Sequence, residues 1–241
     1  MTLTVAIDTA TEVATVAVGK NDTVLVEIAI GARRHAAALL PGIEEALRLA
    51  RGEMEDVSRV LLADGPGSFT GLRIGAATMQ GLWRGRPEVT VRAAPSLLAA
   101  AWGARHLTAG PVAALYDALR GEVFAAVYHF EQEEIQTLVA PTLTTVLRLA
   151  ASGVWAGIAV GDGAAAHRVA VRDWTGADPA PPPLGGPRAS ALLALDLVNG
   201  ALTTIDDPAT FEPEYGRPAE AQARWERTHG RPLPDSRRAP H

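Results

Sequence analysis

Between residues 63 and 78 the chain reads ADGPGSFTGLRIGAAT, with glycines at 65, 67, 71 and 75 and a proline at 66. A glycine-rich turn that launches a helix presents bare backbone N–H groups at the positive end of the helix dipole, a ready site for a phosphate. This loop lacks the usual machinery. No G-K-[ST] follows the glycines, so the lysine that would reach the phosphates is missing. Nor does Ser68 stand in G-x-S-x-G, because Pro66 lies two residues before it, and a hydrolase elbow is disfavoured. An anion on the backbone N–H groups at the helix start stays open. The plainer reading is a strand-to-helix turn with Ser68 or Thr70 as its N-cap.

Gly71 and Gly75 ask for a further reason, since each costs about 1 kcal/mol relative to alanine inside a helix. Lying four apart, they share one face, which Thr78, Met79 and Leu82 continue. Without side chains there, another backbone can approach closely. It belongs either to the protein's own sheet or to a helix of another subunit, and the sequence alone supports both.

Elsewhere the residue types exclude more chemistry than they offer. The absence of cysteine rules out disulfides, thiol catalysis and thiolate metal sites together. The histidines, His35, His106, His129, His167, His229 and His241, form no pair at metal-ligand spacing, and none lies near Ser68. Neither a catalytic constellation nor a metal site is expected. With 22 basic residues, all but Lys20 arginine, against 27 acidic ones, the net charge of −5 offers no broad footprint for a phosphate backbone. The N-terminus has no basic stretch before its first strand, and the apolar runs are too short or interrupted to span a bilayer. A cytoplasmic protein is the expectation.

These residues must be positioned by a chain of 241 residues, enough for two lobes with real cores. β-Branched runs at 3–7, 13–18 and 24–30 predict three strands. A three-and-four spacing over 34–50 predicts a helix, with Pro41 kinking or restarting it. A strand at 60–63, the glycine turn, a helix over 70–84, a strand at 89–93 and a helix over 96–104 complete this half. The order then repeats: strands at 112–116, 122–130 and 134–139, a helix over 142–151, a strand at 155–160 and the turn Gly161-Asp-Gly163. Both openings, AIDTATEVATVAV and ALYDALRGEVFAAVY, place an aspartate at the end of their first strand, Asp8 and Asp117. This duplication predicts two α/β lobes facing each other across a cleft, an arrangement that resembles the duplicated folds of the actin, Hsp70 and sugar-kinase type, ribonuclease H-like in each lobe. Its lobes are residues 1–105 and 106–225, the last segment packing back on the first lobe. The proline-rich stretch DPAPPPLGGP at 178–187 precedes a helix over 190–199, and a polar tail at 226–241 is expected to be disordered.

Folds of this type hold phosphates on the first hairpin of each lobe, using glycine-containing turns. Here Asp8-Thr-Ala-Thr11 has no glycine, and Asp117-Ala-Leu-Arg-Gly121 carries Leu119 and Arg120 where bare backbone is needed. Any nucleotide site made of Asp8, Thr9, Asp117, Gly161 and Gly163 is therefore expected to be vestigial. The plainer reading is that both aspartates simply terminate strands.

Four pieces in order resemble the bacterial TsaB family, also called YeaZ. They are AIDTATEVATVAV, the helix entry Arg34-His-Ala-Ala-Ala-Leu-Leu-Pro41, the long and specific GPGSFTGLRIG, and Asp117-Ala-Leu-Arg-Gly-Glu-Val-Phe124. The resemblance covers residues 1 to about 130. It thins towards Pro213-Glu-Tyr215, after which Gly216 replaces the family's leucine. It implies a degenerate member of the same fold that acts in making threonylcarbamoyladenosine beside the anticodon of tRNAs reading codons that begin with A. The implied role is a non-catalytic scaffold for the paralogous enzyme TsaD, together with the ATPase TsaE. A homodimer would form in isolation, and tRNA would be met only through the complex. TsaD's metal site uses a His-x-x-x-His pair, whereas Leu39 stands four residues after His35 here. The resemblance places the partner contact on the first two long helices, through His35, Leu39, Leu40, Phe69, Gly71, Leu72, Gly75 and Met79. This chain would need no cofactor of its own, although ATP or ADP can sit at the TsaD interface. The rival class is an enzyme: an ATPase or kinase of the same fold, or a glycoprotease-like peptidase.

Overall fold

The first lobe is built around a six-stranded sheet. In the computed structural model, which describes residues 2–21, 23–31, 35–131 and 134–217, the chain opens with β1 (Leu3–Asp8), β2 (Ala14–Lys20) and β3 (Thr23–Ile30). Then follow α1 (His35–Leu49), β4 (Val57–Ala63), α2 (Phe69–Trp83), β5 (Thr90–Ala94) and α3 (Ser96–Ala104). The second lobe repeats the pattern with β6 (Val112–Asp117), β7 (Val123–Glu131), β8 (Glu134–Thr144), α4 (Val146–Ala151) and β9 (Ile158–Val160). Short helices α5 (Asp162–Ala166) and α6 (Arg168–Thr175) come next, then α7 (Ala189–Leu195) and the two-residue β10 (Thr203–Thr204).

Sheet order makes the duplication explicit. The first sheet runs β10-β5-β4-β1-β2-β3 and the second β8-β7-β6-β9. In each, the first three strands form an antiparallel meander and the fourth pairs parallel with the first.

Side-chain alternation along the strands feeds three cores. Leu3, Val5 and Ile7 of β1 face α1 and α2, with Ile43, Leu72's neighbour Ala76, and Met79. Ala113 and Leu115 of β6 face the helices on the far side, through Val146, Leu149 and Val171. Between the sheets lies a central core that takes Ala6, Ala114, Tyr116 and Tyr128 from the strands. Helix α3, apolar around nearly its whole circumference, is buried there beside α7.

The chain after residue 188 returns to the first lobe: α7 packs on β1, β2 and β4, and β10 pairs antiparallel with β5. Asp196, at the C-terminal end of α7, is gripped by Arg59 of β4 and Arg92 of β5, whose guanidinium also reaches the Leu202 carbonyl. The expected tail at 226–241 lies outside the described residues.

Several expected elements differ in extent. The helix expected from residue 142 starts at Val146, because Thr142, Leu143 and Thr144 continue β8 against Ala125, Phe124 and Val123. Their β-branched, half-buried pattern favours the sheet, and Thr145 then caps α4 by accepting from the Arg148 N–H. Strand β9 is shorter than 155–160, and α7 stops at Leu195 rather than 199. Pro41 neither divides nor restarts α1; it lies on the helix's exposed side.

Candidate functional site

The glycine turn is filled from within its own chain. The Gly65 N–H donates to Ser96 Oγ at 2.9 Å, the Ser68 N–H to the Ala10 carbonyl at 2.7 Å, and the Gly71 N–H to Ser68 Oγ at 3.2 Å. Ser68 is thus the N-cap of α2. Three donors that could have cradled an anion are committed.

Each of the four glycines explains itself by what a Cβ would strike. At Gly65 it would meet the Glu214 carbonyl, at Gly67 the Ala10 carbonyl, at Gly71 the Thr9 carbonyl, and at Gly75 Thr9 Oγ1. The close neighbour of the Gly71/Gly75 face is therefore the β1–β2 turn of the same lobe. Of the two neighbours that the sequence left open for this face, the structure shows the chain's own backbone against it. Leu39, Leu72 and Met79 are buried in the lobe itself, so they present no surface to a partner. His35 is the first residue of α1, and its side chain falls outside what the structure describes. Of the expected contact residues, Leu40 (46% exposed) and Phe69 (39% exposed) do reach the surface. Phe69 packs against Tyr215 in a tilted arrangement with ring centroids 4.6 Å apart, and the Arg73 guanidinium lies 5.5 Å from the Phe69 ring centroid.

Between the lobes lies a cavity of about 610 Å³, lined by the β1–β2 turn, α3, Gly161 and the 182–188 loop. Of the five residues expected to form a vestigial nucleotide site, Gly161 lines it and Asp8, Thr9, Asp117 and Gly163 do not. Asp8 is fully buried behind it. Its carboxylate accepts from the Ala10 N–H and from the Arg188 N–H, each at 3.1 Å. Burial pushes this carboxyl up to about 6, against which the two backbone bonds act. The next two donors of the same segment are also taken: the Ala189 N–H by Thr15 Oγ1 at 2.8 Å and the Ser190 N–H by Glu27 at 2.9 Å. Sequence reasoning missed Thr15, Glu27 and the 188–190 backbone. Glu27 was the one charge in an otherwise apolar strand run and could have drawn attention.

In the second lobe Asp117 is exposed. Its carboxylate accepts from the Leu119 N–H at 2.9 Å, while its own N–H donates to Asp162 Oδ1 at 3.0 Å. Gly161 and Gly163 are buried, and a Cβ on either would strike the backbone of residues 115–117. At the end of β4, half-buried Asp64 is pushed up to about 7 by burial and by the charge of Glu214. Among the described residues no group of three or more histidine, aspartate or glutamate side chains is arranged to hold a metal ion.

Comparison with known proteins gives these observations a context. The family model described as TsaD: tRNA N6-adenosine threonylcarbamoyltransferase matches residues 27–175. The tRNA threonylcarbamoyladenosine biosynthesis protein TsaB of Escherichia coli K12 is 32% identical over 164 residues, which are 65% of this chain and 70% of that protein. The protein of the same description from Bacillus subtilis 168 is 27% identical over 227 residues, 91% of this chain and 96% of its own length. Among solved structures, a Pseudomonas aeruginosa protein described as similar to peptidase YeaZ superposes with a TM-score of 0.72 at 26% identity. The match covers 90% of this chain and 100% of that one.

Proposed function

This chain belongs to the TsaB (YeaZ) family of tRNA threonylcarbamoyladenosine biosynthesis proteins, and from that membership we propose that it is a non-catalytic scaffold subunit. It has the duplicated α/β fold of the actin, Hsp70 and sugar-kinase type. In this reading it pairs with a TsaD protein, with TsaE as a further component, and threonylcarbamoylation of the adenosine beside the anticodon is carried out on the TsaD side. tRNA is engaged through the assembly, and the free chain pairs with a second copy of itself. ATP or ADP, where it takes part, sits at the interface with TsaD.

One observation carries the non-catalytic part. Three polar side chains of the first lobe beside the interlobe cavity, Asp8, Thr15 and Glu27, are occupied by the backbone N–H groups of Arg188, Ala189 and Ser190. A nucleotide there would have to displace a helix start that is held at its other end by Arg59 and Arg92 on Asp196. The partner contact is assigned to the outer faces of α1 and α2, through Leu40, Phe69 and Arg73, all exposed. Gly75 is unsuited to test that contact: an arginine there would collide with Thr9 and report on folding instead.

The test is reconstitution. Threonylcarbamoylation of tRNA by TsaD and TsaE is expected to depend on this chain, while the purified chain alone shows no ATP turnover above the blank. Turnover by the chain alone that disappears in a folded Asp8→Ala variant would overturn the scaffold reading in favour of an ATPase.

A further inference from the structure

After β10 the chain leaves the first sheet, and residues 211–217 cross the glycine turn to the second lobe without forming helix or strand. Separate contacts mark the crossing. Gln80 of α2 donates to the Phe211 carbonyl at 3.2 Å, and the Glu214 N–H donates to the Asp64 carbonyl at 2.8 Å. Tyr215 lies against Phe69, and Gly216 sits where a Cβ would strike both Pro66 of the turn and the Phe124 ring of β7. Arg217 then donates to the Ala118 carbonyl at 2.5 Å, with its guanidinium 5.5 Å from the Phe124 ring centroid. The segment is a strap, tied to the first lobe through Glu214 and Tyr215 and to the second through Arg217.

A segment held by so few bonds, with Glu214 and Gly216 exposed, opens locally at lower cost than the sheets beneath it. Under its middle two carboxylates come together. Half-buried Asp64 accepts no hydrogen bond from another residue among the described ones, and the charge that acts on it is that of Glu214 on the strap. Neighbouring elements do not offset that charge. β7 presents the neutral phenol of Tyr128, and α3 presents Ser96, whose Oγ is taken by the Gly65 N–H. Asp8, ending the adjacent β1, is turned to the Ala10 and Arg188 N–H groups. The arginines along the strap are engaged elsewhere, Arg73 at the Phe69 ring and Arg217 at Ala118 and Glu122.

We propose that residues 211–217 are an interlobe strap that closes over protonated Asp64 and lifts when Asp64 ionises opposite Glu214, taking Tyr215 off Phe69. Burial and the Glu214 charge hold the Asp64 carboxyl up at about 7 while the strap is closed. Lifting the strap admits water and separates the two charges, so the open form gives up its proton at lower pH. Between the ordinary carboxylate range and about pH 7 the closed form holds a proton that the open form has released. Opening therefore becomes easier as pH rises through that window, and levels off above it. The consequence for a partner rests on the reading that Phe69 belongs to the partner contact; the strap itself does not.

Hydrogen exchange of the Glu214 N–H in the full chain, read by NMR and corrected for intrinsic rates, tests the strap with no partner present. Its protection should lie at least tenfold below that of the Leu72 N–H, which is bonded to the Ser68 carbonyl in α2. It should also fall about tenfold from pH 6 to pH 8, the linkage of one proton across that range. Asp64→Asn keeps the carbonyl that accepts this bond and removes the charge, so its protection should be the same at both pH values. Glu214→Gln, at an exposed position, should move the levelling-off to lower pH. Any of four results overturns the proposal: wild-type protection equal at pH 6 and pH 8, an equal fall in Asp64→Asn, an unmoved profile in Glu214→Gln, or protection at Glu214 equal to that at Leu72. The last would mean that the segment opens only with the whole lobe.

Discussion

The two lobes solve the same packing problem at the same junction, where the segment after the fourth strand crosses the turn after the first. In the first lobe Gly67, Gly71 and Gly75 let α2 lie against Thr9 and Ala10; in the second, Gly161 and Gly163 let α5 lie against residues 115–117. Around this shared contact everything else has diverged. The first lobe continues into a helix of 15 residues and its turn binds the start of α7 through Asp8. The second continues into a helix of 5 residues, and its turn passes through Leu119 and Arg120 at positive φ, while the Asp117 N–H donates to Asp162 of α5. The comparison teaches that glycine after the fourth strand marks a close approach of backbone to backbone, required whether or not a phosphate was ever bound. What a phosphate would need is donors left over, and in the first lobe the N–H groups of Gly65, Ser68 and Gly71 are committed internally.

Substitutions can break this parallel, beginning with the largest effect. Gly71→Val should destabilise the chain by about 3 kcal/mol, because the new side chain drives into the Thr9 carbonyl rather than into a flexible neighbour. Gly163→Val should cost about 2 kcal/mol by the same collision in a shorter helix, so denaturant unfolding should rank the two lobes in that order. Gly81, in the same helix as Gly71 but with nothing near its missing Cβ, sits at the other extreme: Gly81→Ala should stabilise by about 0.5–1 kcal/mol. Similar losses at Gly71 and Gly81 would mean helix propensity, not the own-lobe contact, explains these glycines.

Asp8 offers a comparison by pH. Its carboxyl titrates near 6 in the folded chain against an ordinary 3.8, so between about pH 4 and 6 the folded state holds a proton that the unfolded state has released. Its contribution to stability therefore falls as pH rises through that window and is least favourable above it. Asp8→Asn should flatten this part of the stability profile. The fall that Asp64 causes, with its carboxyl near 7, should persist. An unchanged profile between pH 4 and 6 would show that Asp8 is not the buried acid described.

Much of this architecture is legible in the amino-acid order. The β-branched runs, the two aspartates ending equivalent strands and the repeated turn before a helix disclose the element order that the two halves share. Two things were not legible, for physical reasons. A glycine pair on one helix face states that a backbone comes close but not whose, since the β1–β2 turn and a foreign helix both exclude Cβ. The grip of Asp8, Thr15 and Glu27 on residues 188–190 joins positions more than 160 apart in sequence, and no local periodicity carries such a contact. Extension of β8 to Thr144 is a smaller case, in which threonines that also suit a helix start are recruited by β7.

The central claim is that the first lobe keeps its glycine face for itself and offers the outer surface of α1 and α2 to a partner. Leu40→Glu combined with Phe69→Glu tests this most directly, measured by size-exclusion co-migration of the chain with TsaD. Both side chains are exposed and Phe69 gives up its ring contact with Tyr215, so unfolding should stay within about 1.5 kcal/mol of the parent. The account predicts a folded double variant that no longer co-migrates with TsaD. A folded double variant that still forms the complex at wild-type concentrations would contradict it.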